Sequence, residues 1–203
     1  MASKNIFQGN PAEVSEELMK SAFGSHFAII YPDLPTLREM YSQYIKIVLS
    51  NGNEIVIILP FLETVYNVRR ILTENCTNIN VRKYEKEQLL LIVDSLKGYF
   101  GSPVGLMPFL SQTVEYASKL GKNGLSVLGD MGSFFYYNKK DGLLDYEMTL
   151  SSKYKDMNYM KGFCMYNEHD FDKRFNEEER QRLLVHHEDP EIITAIRGCM
   201  KRL

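Results

Sequence analysis

The sequence predicts an α/β domain built on a largely parallel sheet. Two continuous apolar runs, Phe27 to Tyr31 and Ile55 to Leu59, lack polar alternation, as strands buried on both faces do. Between them Leu37, Met40, Tyr41, Tyr44, Ile45, Val48 and Leu49 recur at three- and four-residue steps. One helix face therefore covers the sheet, while Arg38, Glu39, Gln43 and Lys46 face water. Across the chain, strand-then-helix alternation repeats five times, the pattern of a parallel sheet with crossover helices.

The elements follow in order. Asn10-Pro11-Ala12-Glu13 places a cap, a first-turn proline and a reciprocal glutamate at the start of a short helix to about Ala22. Its narrow stripe of Val14, Leu18 and Ala22 suits docking on the domain or on a partner. Asn51-Gly52 ends the helix that follows the first central strand. After the second, Val65, Val68, Ile71 and Leu72 mark a further helix, and the alternation of Ile79 to Tyr84 predicts an edge strand. Leu89 to Val93 reads as a fourth strand. Leu96 to Pro108 holds three glycines and two prolines and predicts a long irregular connection. A helix over Phe109 to Leu120, closed by Gly121, leads to a fifth strand at Leu125 to Leu128, and a short aromatic segment, Ser133 to Asn138, follows. Leu143 to Asp156 is a helix in which Glu147 shares a face with Leu143, Leu150 and Tyr154. Lys161 to Tyr166 is a sixth strand. Helices over Glu177 to His187 and Glu191 to Lys201 complete the chain, the last with Asp189-Pro190 as its start. The expected organisation is an N-terminal helical extension over 1–24, a domain over 25–187 and a C-terminal helix over 188–203.

Composition narrows the function classes. A length of 203 residues suits one well-buried domain. A net charge of -2 and a pI near 6.1 offer no general attraction to nucleic acid. No run approaches the roughly 20 apolar residues that span a bilayer, and no signal-peptide core is present, so a cytoplasmic protein is expected. Cys76, Cys164 and Cys199 fit neither a disulfide framework nor a cysteine zinc site and read as reduced thiols.

The turn after the first central strand is where a phosphate-binding unit would carry glycines and a Gly-Lys-Ser/Thr ending. Here it reads Pro32-Asp33-Leu34-Pro35-Thr36. The prolines remove amide donors and Asp33 repels phosphate. No triphosphate and no other cofactor is expected there. Ligands of open α/β sheets bind beyond the carboxyl ends of the strands. Parallel topology gathers Tyr31, Asp33, Pro60, Phe61, Glu63, Tyr84, Glu85, Asp94, Ser95, Asp130, Met131, Tyr166 and Asn167 at that edge. Five of them, Tyr31, Phe61, Glu63, Asp94 and Asp130, form the candidate ligand site. The rim is aromatic and acidic, suited to a neutral or cationic small molecule. No catalytic residue and no metal ligand is assigned. Glu147, alone among apolar neighbours, calls for a partner, and an ion pair is expected. His26, at the start of a strand, reads as a structural histidine; His186-His187-Glu188-Asp189 has adjacent histidines that diverge on a helix. No nucleophile elbow, His-Glu-x-x-His or dinucleotide glycine motif appears.

HFAIIY, SNGNEIVIILP with Glu63 soon after, LLLIVDSLKGYF, VEYASKLGKNGLSVLGDMGSFF, LLDYEMTLSSKY and GFCMYNEHDF occur in the order of one known family. Over residues 25 to 187 the chain resembles the MEDS domain, the sensory domain named for methanogens, methylotrophs and the repressor DcmR, a degenerate relative of KaiC/RecA-like ATPases. The resemblance implies a RecA/KaiC-like three-layer sandwich, a ligand-sensing role and loss of ATP hydrolysis. The family often has a tryptophan shortly after the Gly-Asp/Glu-Met piece; this chain has none, and Phe134 or Phe135 takes that space. About 24 residues precede the first strand, too few for an attached DNA-binding module. Output through a protein partner or a homodimer is therefore expected. The competing readings are a RecA-like nucleotide-binding protein with residual or no ATPase activity, using Glu63 or Asp130 with a metal, and a structural dimerising module.

Overall fold

The computed structural model describes residues 7–74, 78–156, 159–186 and 193–196. Among the described residues, seven parallel strands form one sheet in the order β1-β7-β2-β6-β5-β3-β4. The strands are β1 (Phe7–Gly9), β2 (His26–Tyr31), β3 (Glu54–Leu59), β4 (Leu90–Ile92), β5 (Gly124–Asp130), β6 (Met160–Asn167) and β7 (Ile193–Ile196). Their continuous apolar character is matched by burial: every residue of β3 and β5 is buried, as is every residue of β6 except Asn167.

Helices cover both faces, giving three layers. On one face lie α1 (Pro11–Lys20), α2 (Leu34–Asn51), α3 (Val65–Glu74) and α4 (Val81–Lys86), packed over Ile29, Tyr31, Val56, Ile58, Leu128 and Met165. On the other lie α5 (Ser95–Phe100), α6 (Met107–Lys119), α7 (Gly132–Tyr136), α8 (Lys140–Asp156), α9 (Glu168–Arg174) and α10 (Glu177–His186). Their apolar residues pack over Ala28, Ile57, Leu59, Val127, Cys164 and Tyr166. Alternate strand residues thus feed two separate cores, which is why polar alternation is missing.

Local signals act as the sequence predicts at several ends. Asn10 Oδ1 accepts from the Ala12 and Glu13 amides at 3.0 and 3.1 Å, and Glu13 returns the bond to the Asn10 amide at 2.8 Å. Gly52 closes α2 at φ 68°, a conformation that glycine adopts without a side-chain penalty. Val14 and Leu18 of α1 are buried against α2, so these two residues dock within the chain, whereas α1 ends at Lys20 and Ala22, expected in the same stripe, lies past it and is exposed.

Other expectations are corrected. Residues 79–84 form no strand: Asn80 Oδ1 accepts from the Lys83 amide at 3.0 Å and starts α4. Tyr84 and Glu85 therefore leave the strand-end rim, and Glu85 pairs with Arg69 at 2.7 Å. The expected irregular connection begins with α5, capped by Asp94. The expected final helix gives way at Ile193–Ile196 to β7, which pairs in parallel with β2 and β1. The rest of that segment and His187 lie outside the described residues. No helix is long and apolar enough to cross a membrane, among the described residues.

Candidate functional site

The carboxyl ends of β2, β3, β5 and β6 meet at a narrow crevice. Leu34, Leu37 and Tyr41 of α2 line it, with Ile58 of β3, Pro60, Phe61, Leu62 and Glu63 just after it, Asp130 of β5 and Met165 of β6. Three of the five candidate residues, Phe61, Glu63 and Asp130, therefore share one crevice. Tyr31 reaches it through a hydrogen bond, its phenol donating to Asp130 Oδ2 at 3.1 Å. Asp94 does not line it; its carboxylate accepts from the Lys97 amide at 3.0 Å and caps α5.

Asp130 is 2% exposed. Its Oδ1 accepts from the Gly132 amide at 2.9 Å, and the Phe61 amide also bonds to this carboxylate. Burial outweighs these donors and pushes the Asp130 carboxyl up to about 6. Burial, followed by the Asp130 charge, also holds the Tyr31 phenol far above its ordinary value, so it serves as a donor.

Glu63 is buried at the opposite wall, and here the sequence missed two residues. The helical pattern points Arg38 toward water, yet its guanidinium grips Glu63 Oε1 with Nε at 2.8 Å and Nη2 at 2.7 Å. Tyr41 donates to Glu63 Oε2 at 3.1 Å. A glutamate four residues past a strand end and an arginine in the first turns of the preceding helix are the signal that was available. With Arg38 in place, the rim is less acidic than composition alone suggests.

The crevice encloses about 10 Å³, room for about one water molecule. A roomier concavity of about 420 Å³ lies at the other edge of the sheet, lined by Glu115, Lys119, Lys122 and Tyr159 among others. Its Lys122 Nζ donates to the Gly52 carbonyl at 2.6 Å.

The phosphate position is filled from within. Asp33 is the cap of α2, and its Oδ1 accepts from the Thr36 amide at 2.8 Å. That bond holds the Asp33 carboxyl below its ordinary value, so a negative charge already occupies the helix N-terminus. Phe134, one of the two residues assigned to the tryptophan space, packs against Tyr99, Phe100 and Tyr146 in the aromatic core over the opposite face, rather than lining the crevice.

Comparison with known proteins agrees with this architecture. The family model described as the methanogen/methylotroph, DcmR sensory domain, MEDS, matches residues 25–188. The crystal structure of a KaiC-like protein from the hyperthermophilic archaeon Pyrococcus horikoshii OT3 is similar in fold. Its TM-score is 0.54 at 15% identity, covering 79% of this chain and 68% of that one. No curated protein matches the chain by sequence.

Proposed function

Because the chain belongs to the MEDS sensory-domain family, we propose that it is a signalling module that binds a small molecule at the carboxyl edge of its sheet. Phe61, Glu63 and Asp130, with Tyr31 behind them, would meet the ligand. The observation that favours sensing over phosphoryl chemistry is Asp33, whose carboxylate already takes the amide that a phosphate would need. A RecA-like ATPase reading lacks both the amide cradle and the lysine at this turn.

The narrowness of the crevice suits a sensor. A ligand larger than water enters only if Tyr31–Asp130 or Arg38–Glu63 parts, so binding and rearrangement are one event. A ligand that favours the parted state shifts the population toward it by its difference in affinity for the two states. The output then passes to a protein partner or to a second copy. Val14 and Leu18 of the N-terminal helix are already covered by α2, so a dimer would have to use another surface.

Two measurements test this reading. Thermal melting with ATP and magnesium should show no shift, whereas a small apolar or aminated compound from a screening panel should raise the melting temperature. At a hundredfold excess over its dissociation constant, such a ligand stabilises the fold by about 2.7 kcal/mol. Phe61→Ala should shrink the shift, and His186→Ala should leave it intact. An ATP-dependent shift abolished by replacing Thr36, or a ligand seated beside Lys119 and Tyr159, would overturn the assignment. Light scattering at tens of micromolar, with and without the panel compound, reports whether self-association carries the output; a monomer under both conditions points to a separate partner.

A further inference from the structure

A second polar cluster lies in the other core, away from the crevice. His26 opens β2, Cys164 sits in the middle of β6 and Glu147 projects from α8, and all three are buried, at 5%, 4% and 0% exposure. His26 Nε2 is 3.1 Å from Cys164 Sγ and 3.2 Å from Glu147 Oε2. One ligating atom from each residue lies within 4.8 Å of the other two. Strand register explains the convergence: β2 and β6 are neighbours, Ala28 is level with Cys164, and His26 lies one pleat away on the same face.

We propose that His26, Glu147 and Cys164 form a binding site for one borderline divalent ion of the zinc class. Bonds of about 2.0–2.3 Å around a tetrahedral ion put neighbouring ligand atoms roughly 3.3–3.7 Å apart. The two distances from His26 Nε2 fall a few tenths of an ångström short of that, a gap closed by small side-chain shifts. A single ring nitrogen faces both a thiol and a carboxylate, and the thiol bonds to that carboxylate as well, so the three ligating atoms converge on one point. An ion placed among the three would meet all of them at once. Its two positive charges balance one thiolate and one carboxylate, with the imidazole neutral and the thiol proton released to solvent. Imidazole with thiolate selects against magnesium and calcium, which require oxygen shells. Tyr166, whose phenol donates to the other oxygen of Glu147, holds the carboxylate in place and acts as a positioning residue. Burial means that the ion enters as the chain folds.

The test uses the full chain with Cys76→Ser and Cys199→Ser, so that Cys164 is the sole thiol. Refolding with cobalt(II) should give a thiolate-to-cobalt absorption band that saturates at one ion per chain and is displaced by zinc. Refolding with zinc, but not magnesium, should raise the melting temperature. Tyr166→Phe should weaken the metal by about tenfold, and Glu147→Gln or His26→Gln by more. Asp130→Asn should leave the band unchanged, which separates this site from the crevice. Absence of the band in the single-thiol chain overturns the proposal, whether or not any further variant folds. A band that survives His26→Gln combined with Glu147→Gln also overturns it.

Discussion

Replacing Lys161 with methionine is expected to lower stability by about 3–5 kcal/mol, the cost of leaving a buried charge without its partner. Lys161 and Glu54 are 3% and 8% exposed and pair at 2.9 Å across the amino ends of β6 and β3. Ser126 of β5, between them, donates to the other oxygen of Glu54, and the Tyr44 phenol lies 2.8 Å from Ser126 Oγ. Phe23 covers the ammonium, with its ring centroid 4.8 Å away. Methionine keeps most of the apolar stem but removes the charge, so Glu54 keeps the Ser126 hydroxyl as a donor and loses the ammonium that balances it. In a domain of this size, the loss corresponds to a melting temperature lower by on the order of 10 °C. Adding Glu54→Gln should recover most of it, because the stranded charge disappears with its partner. Equal melting of Lys161→Met and the parent would show that Glu54 is hydrated rather than buried.

The interior strands β2, β3, β5 and β6 were legible because burial on both faces leaves a continuous apolar run, and β4, at one edge, was legible from the run Leu89 to Val93; β1 at the other edge and β7 beside it were not. β1 has three residues and β7 four, too short for a pattern, and Asp189-Pro190 before β7 carries a strong helix-start signal. α5 was hidden by Gly98, whose missing side chain lets the helix approach the sheet: a Cβ there would stand 2.5 Å from Leu59 Cδ2. Packing overrode propensity. At α4 the step from Ile79 to Val81 fits a strand and the step from Val81 to Tyr84 fits a helix, and the cap at Asn80 decides it. The need of Glu147 for an ion pair was readable from its apolar helix face. Its partner His26 was not, because His26 lies on β2, far along the chain from α8, and the two meet only through a strand order that skips along the chain. Glu54 and Lys161, 107 residues apart, were invisible for the same reason.

Asp130→Asn is expected to make the chain more stable near pH 8, by up to about 3 kcal/mol, and to flatten its dependence on pH. The folded-state carboxyl stands at about 6 against an ordinary 3.8, chiefly because of burial. Between these values the folded chain holds a proton that the unfolded chain has released, so stability falls as pH rises. The benefit is complete below 3.8 and is lost as pH passes through about 6. A shift of about two units corresponds to about 3 kcal/mol, since each unit is worth about 1.4. Asparagine keeps an acceptor for the Gly132 amide and never ionises, and the Tyr31 phenol can turn from donor to acceptor. Urea unfolding at several pH values, read as the midpoint difference between variant and parent, checks this. The difference should grow from pH 4 to pH 8. A variant that is less stable at pH 8, with the parent's slope unchanged, would show that the three donors keep Asp130 ionised. If it is neutral at mildly acid pH and charged above it, the crevice loses a negative charge as pH falls. A cationic ligand should then bind more tightly at pH 8 than at pH 5, and Asp130→Asn should abolish that difference, as titration calorimetry at the two pH values would report.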